Sequence, residues 1–249
     1  MRNPKWHRDE IILALDLYFD PERGSIDYKN KKIIEVSQIL NELPLFSKRP
    51  DAVRFRNANG VTLKLSNFLA FDETYTGKGM KGGSKLDHEV FNEFVNQQDK
   101  LHAIAKEIKL IARNSDLKHE IAKIEEDDLT RTDGVIEGEI LYKLHKVRER
   151  DSKIIEEKKK YYYNQHGQLD CEACKFQFQP FYGNIGSGFI ECHHKNPLFT
   201  LQAETKTMLN DLALVCSNCH RMLHRSREYL SIDDLAMMIY YEGLQHPSG

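Results

Sequence analysis

Four cysteines in two CxxC pairs, Cys171/Cys174 and Cys216/Cys219, constrain the last third of this chain more than any other feature of its sequence. Thiolates are zinc ligands, and two such pairs supply the four sulfurs of a closed tetrahedral structural site. A site of that kind holds together a domain too small to be stabilised by an apolar core alone. Two adjacent disulfides are the competing assignment. CxxC disulfides are strained and mostly redox-active, and the sequence has no secretory features, so zinc is the reading taken.

Between the pairs stands a double histidine, His193-His194, and His220 and His224 follow the second pair. Residues 189–194 (FIECHH) and 212–216 (LALVC) read as short apolar strands, with Gly183, Gly186 and Gly188 as turn residues before the first. After Cys216, SNCHRMLHRS reads as a short helix with Ser217 or Asn218 near its N-cap. His220 and His224 are four apart and project from one face of that helix. Two strands and a helix would thus bring His193, His220 and His224 to a common point, with His194 beside them. A lone histidine is more often packed or surface-exposed than a ligand. Four at these spacings, interleaved with a zinc scaffold, reverse that expectation.

Residues 166–226 resemble the HNH (ββα-metal) endonuclease motif, in the cysteine-bearing version of McrA-like bacterial restriction enzymes. The resemblance implies that His193 and His220 are ligands of a catalytic divalent ion and that His224 is a third. It makes His194 the general base. Asp211 stands where the family usually has an asparagine that orients the base, a departure whose charge would favour the protonated imidazole. An ion held by few protein ligands keeps positions for a phosphate oxygen and water. The implied products are 5′-phosphate and 3′-hydroxyl ends. Histidine ligands do not select the metal, which leaves magnesium, manganese, nickel or zinc. Cys192 reads as a buried thiol beneath the site, and Glu191 as a side chain near the metal shell.

A nuclease domain needs a partner that holds DNA, and the net charge of −2 excludes a chain that coats DNA by bulk electrostatics. A local basic face is still allowed, and the stretch FSKRPDAVRFRNANGVTLKLSNFLAFD supplies one in Lys48, Arg49, Arg54, Arg56 and Lys64. Helical spacing places Val61, Leu65 and Phe68 inward and Lys64 outward. The glycine-rich loop TGKGMKGGSK adds Lys78 and Lys81, and its amides could approach phosphates closely. A solvated helical face with a surface loop is the plainer interpretation. The RNANGVTLKLSNF pattern resembles the N-terminal domains of bacterial HNH restriction proteins and, more loosely, domains that read modified DNA, including phosphorothioate linkages. That likeness singles out Arg49, Pro50, Arg54, Arg56, Asn57 and Asn59 as DNA-reading residues.

The remaining periodicity predicts helices at Trp6–Phe19 and Lys31–Leu43, a helical run from His88 to Lys123, a long charged helix over 138–167 and a closing helix over 231–241. Residues 116–139 are acidic and read as a hinge. The expected class is therefore α+β, with a mainly helical DNA-recognition domain at 1–115, a charged hinge and linker helix at 116–165, and a small zinc-stabilised ββα-metal domain at 166–249. At 249 residues, 40% hydrophobic and 30% charged, with no long apolar run and no signal peptide, the chain reads as a cytoplasmic soluble protein. The expected function is that of a restriction endonuclease on modified double-stranded DNA, a homodimer if both strands are cut. The competing functions are a homing or nicking HNH nuclease on unmodified DNA and a non-catalytic zinc-stabilised DNA-binding module.

Overall fold

The structure is a computed structural model, and it describes residues 3–46, 51, 53–77, 80, 82–124, 138–149, 152–196, 207–225 and 229–245. The chain divides into two compact units, Met1–Glu125 with Glu137–Leu144, and Glu126–Ile136 with His145–Gly249.

The first unit is helical and is organised around α1 (Arg8–Phe19), whose residues from Asp9 to Tyr18 are all buried. The sequence EIILALDLY permits this because its apolar residues cover most of the circumference, unlike the single stripe of a surface helix. Around it pack α2 (Lys31–Glu42), α3 (Ala58–Phe68), α4 (Lys85–Phe94) and α5 (Gln98–Arg113), with α6 (Ser115–Ala122) following on α5. The helical run expected from His88 to Lys123 is thus three helices. It breaks at Val95–Gln97 and again at Asn114, whose side chain caps α6 by accepting from the amides of Asp116 and Leu117.

The carboxylates on α1 are buried because each has partners. Asp16 meets Lys109 at 2.6 Å and His102 at 3.0 Å. Asp9 caps a distant helix, α7 (Glu139–Glu149), accepting from the amides of Glu139 at 3.0 Å and Ile140 at 3.2 Å. Gly138 makes that cap possible: at φ +94° it occupies a region L side chains rarely adopt, and a Cβ there would come within 2.2 Å of Asp9 Oδ1. Within the acidic stretch 116–139, α6 is ordered helix with Ile121 buried, and Glu139 opens α7. Residues 125–137 of that stretch lie outside the described residues.

The second unit contains α8 (Ser152–His166), the short α9 (Phe178–Tyr182), the antiparallel strands β1 (Glu191–His194) and β2 (Leu212–Val215), then α10 (Ser217–Arg225) and α11 (Ile232–Gln245). The expected strands and helix are therefore present. In the ladder Glu191 faces Val215, Cys192 faces Leu214, His193 faces Ala213 and His194 faces Leu212. Alternation across so short a sheet makes two apolar clusters. Ile190, Cys192, Leu212 and Leu214 pack with Tyr162 of α8. Ala213 and Val215 pack with the cysteines, with Leu223 of α10 and with Ile232 and Leu235 of α11.

Candidate active site

Both CxxC segments form the same tight turn. The amide of Cys174 donates to Cys171 Sγ at 3.5 Å, and that of Cys219 donates to Cys216 Sγ at 3.4 Å. The chain then closes each turn, from the Lys175 amide to the Cys171 carbonyl at 2.8 Å and from the His220 amide to the Cys216 carbonyl at 2.9 Å. Lys175 sits at φ 63° to complete the first turn. Glu172 docks that turn on β2 in two ways, giving its amide to the Leu214 carbonyl at 2.8 Å and accepting the Leu214 amide on its side chain at 2.7 Å. The second turn leaves the end of β2 and runs directly into α10. Both knuckles are thereby held at the same strand.

The four sulfurs lie within 4.8 Å of one another, and all are free thiols. Cys174 Sγ and Cys216 Sγ are 3.7 Å apart, close to the edge of about 3.8 Å expected for a tetrahedron with Zn–S near 2.3 Å. Burial pushes the Cys174 thiol up to about 11 and the Cys219 thiol higher still. A divalent cation at the centre reverses that penalty by offsetting the thiolate charge. The donor set therefore fits zinc, and this cluster of four cysteines could hold it.

The same α10 carries His220 and His224 beneath β1. Their ligand nitrogens and that of His193 also lie within 4.8 Å of one another. His224 Nε2 is 3.0 Å from His220 Nε2, and two nitrogens on one ion stand about 3.0–3.4 Å apart. The ring centroids of His193, His220 and His224 are 4.8–5.3 Å apart. His193 and His220 are buried and His224 half-buried. Three neutral imidazoles in this arrangement fit a divalent ion and leave coordination positions for other ligands.

His194 is the next residue on β1 and is buried, with Nε2 3.4 Å from Thr207 Oγ1. Asp211 ends a 3-10 turn (Leu209–Asp211) just before β2. Its carboxylate accepts from the Met208 amide at 2.8 Å and from Asn196 Nδ2 at 3.3 Å, and its carbonyl accepts the Lys195 amide at 2.7 Å. Asp211 thus ties the residues after the double histidine to the start of β2. Sequence reasoning passed over Asn196, and the signal was its place two residues beyond His194. Glu191 Oε2 lies 2.6 Å from His220 Nδ1, and Ser217 Oγ donates to Glu191 Oε1 at 2.5 Å. The hydrogen bond with His220 holds the Glu191 carboxyl below the usual range against the effect of burial, with Ser217 assisting.

The HNH endonuclease family model matches residues 171–226, the stretch that carries the two CxxC pairs and the four histidines. Residues 171–226 are an HNH endonuclease-family domain. The chain is also similar to the type IV methyl-directed restriction enzyme EcoKMcrA of Escherichia coli (strain K12), 26% identical over 186 residues. That alignment covers 72% of this chain and 63% of the relative, so the chain spans somewhat less than two thirds of its length. No solved structure matches the chain.

The residues expected to read DNA lie outside the HNH domain, in the first unit, and the structure divides them. Arg54 and Asn59 are exposed. Asn57 is the N-cap of α3, accepting from the Gly60 amide at 2.9 Å. Arg56 and Lys64, expected on an outward basic face, are instead buried. Arg56 pairs with Glu10, and Lys64 Nζ lies 2.6 Å from Asp87 Oδ1 with the Trp6 ring against it. Burial lowers the Lys64 pKa against the pull of Asp87. The physical reason is that each cation finds a buried carboxylate, so the packed ion pair replaces hydration. Lys48, Arg49, Pro50, Lys78 and Lys81 lie outside the described residues. Among the described residues no helix is long and apolar enough to cross a membrane.

Proposed function

We propose that this chain is a metal-dependent HNH endodeoxyribonuclease that hydrolyses phosphodiester bonds in double-stranded DNA, as a restriction enzyme directed to methylated or phosphorothioated DNA. The observation that carries the nuclease reading is the convergence of the His193, His220 and His224 ligand nitrogens beside His194 on one strand.

In this reading His193, His220 and His224 hold the ion, which supplies charge stabilisation to a phosphate oxygen and to the leaving 3′ oxygen. His194 takes the proton from the attacking water, a task suited to a group that titrates near neutrality. Asp211, with Asn196, keeps the segment after His194 anchored to β2, so the base holds its position relative to the ion. Zinc on Cys171, Cys174, Cys216 and Cys219 keeps α10 and β2 in register. Magnesium, manganese, nickel and zinc are the candidates for the catalytic position, and its three imidazoles favour nickel and zinc, since magnesium and manganese prefer oxygen ligands.

Dependence on modified DNA is supported by the extent of the similarity to EcoKMcrA, named as methyl-directed. The alignment of 186 residues reaches well beyond residues 171–226 and therefore includes part of the helical unit. Arg54 and Asn59 are exposed there and are proposed to contact DNA. One HNH domain cuts one strand, so double-strand cleavage would point to a homodimer.

The test is incubation of the purified protein with magnesium, manganese, nickel or zinc and plasmids that are unmodified or carry methylcytosine, hydroxymethylcytosine or phosphorothioate. Cleavage confined to one modified class, with 5′-phosphate ends, is expected. Equal cutting of all plasmids removes the modification dependence, and a fixed cut site on unmodified DNA selects a homing or nicking enzyme instead.

A further inference from the structure

An imidazole binds a metal through one nitrogen only if its other nitrogen carries the proton, and a partner must fix that tautomer. For His220 that partner is a carboxylate. Glu191 Oε2 stands 2.6 Å from His220 Nδ1, which leaves the unprotonated Nε2, 3.0 Å from His224 Nε2, as the ligand atom. Glu191 is itself fixed. It belongs to β1 two residues before His193, so it points to the same face of the sheet. Its second oxygen receives the hydroxyl proton of Ser217, the first residue of α10.

We propose that Glu191, held by Ser217, is the positioning residue of the imidazole cage: it locks His220 as the Nδ1–H tautomer and raises the basicity of the ligating Nε2. The arrangement also couples the cage to the sulfur scaffold, because Ser217 follows Cys216 directly and His220 follows Cys219. The turn that orders the cysteines thereby places both the hydroxyl that holds Glu191 and the imidazole that Glu191 orients. This inference rests on the reading of His193, His220 and His224 as metal ligands.

The experiment titrates nickel into the full-length protein carrying one equivalent of zinc, by calorimetry, alongside nitrogen NMR of the His220 ring. Glu191→Ala is expected to weaken nickel binding by about 10–100-fold while the zinc content stays unchanged. The His220 ring should then lose its single Nδ1–H form for a mixture of tautomers. Glu191→Gln should fall between the two proteins and keep the Nδ1–H form. Its carbonyl oxygen can face Nδ1–H while its amide donates to the Ser217 oxygen. Unchanged nickel affinity in both variants overturns the proposal, as does an unchanged His220 tautomer in Glu191→Ala. If Glu191→Ala also sheds zinc, the Gln variant decides by the same two readouts. A wild-type protein that takes up no nickel at the histidines refutes the ligand assignment as a whole, a result distinct from failure of the Glu191 role.

Discussion

The Arg56 guanidinium meets the Glu10 carboxylate side-on, Nε 2.6 Å from Oε1 and Nη2 2.8 Å from Oε2, with both side chains almost wholly buried. Arg56 also donates from Nη1 to the Pro4 carbonyl and from Nη2 to the Lys5 carbonyl, and the rings of Trp6, Phe46 and Phe55 lie against the guanidinium. Glu10 also accepts the His7 amide at 2.7 Å, capping α1. This arginine is therefore part of the core of the helical unit.

Arg56→Ala leaves a buried carboxylate uncompensated and is expected to destabilise the helical unit by about 3–5 kcal/mol. Arg56→Lys cannot restore the planar fork and should recover only part of that. Arg54→Ala, at an exposed position, should leave stability unchanged and weaken DNA binding. Urea denaturation and DNA binding on the two variants separate these roles. A stable Arg56→Ala protein with reduced DNA affinity would return Arg56 to the DNA surface.

Why the sequence misplaces Arg56 and Lys64 follows from where their partners are. Glu10 is 46 residues from Arg56 and Asp87 is 23 from Lys64, so no local spacing announces either pair. A basic residue within a basic run looks solvated until its carboxylate is found. The HNH domain was legible for the opposite reason: each CxxC turn and the His220/His224 pair are local, and alternation fixed which strand residues share a face. The roles of Glu191 and Asn196 needed the tertiary structure, since Glu191 meets His220 across 29 positions and Asn196 meets Asp211 across 15. The apolar periodicity that runs through 88–123 hid the breaks between α4, α5 and α6, although Asn114 carried a capping signal.

His7 makes the helical unit sensitive to alkaline pH. Burial opposes its charging, but its contacts with Asp9 and Glu139 outweigh that and raise its pKa from 6.5 to about 10. Nδ1 is 2.7 Å from Asp9 Oδ2 and 3.4 Å from the Asp9 amide, so the shorter contact decides and Nδ1 carries a proton. The folded protein thus binds a proton more tightly than the unfolded chain. The stabilisation is complete below pH 6.5 and is lost as pH rises towards about 10. Glu139, held down to about 2 by His7 against burial, acts at the other end, losing its contribution as pH falls from 4.5 towards 2. Urea midpoints should drop between pH 6.5 and 10 in the wild type and much less in His7→Gln. Parallel slopes in the two proteins would contradict the assignment.

Removing zinc should unfold the second unit and leave the first intact, because its cores are small and the cysteines form much of one of them. Cys216→Ser or a strong chelator is expected to abolish protection of α10 and β2 from hydrogen exchange, with α1 and α5 still protected. Uniform loss across both units, or none, would contradict a scaffold built on the four thiolates.

His194→Ala should lower DNA cleavage by about 10²–10⁴-fold, the usual range for a general base. Its metal content and DNA binding should match the wild type. Cleavage at the wild-type rate would remove His194 from the reaction.

The most direct measurement is metal stoichiometry of the full-length protein loaded with one equivalent of zinc and then equilibrated with nickel, in wild type and His193→Ala. Two separate metal sites predict one zinc and one nickel per chain in the wild type, with nickel alone lost in His193→Ala. One metal per chain in both proteins would contradict them.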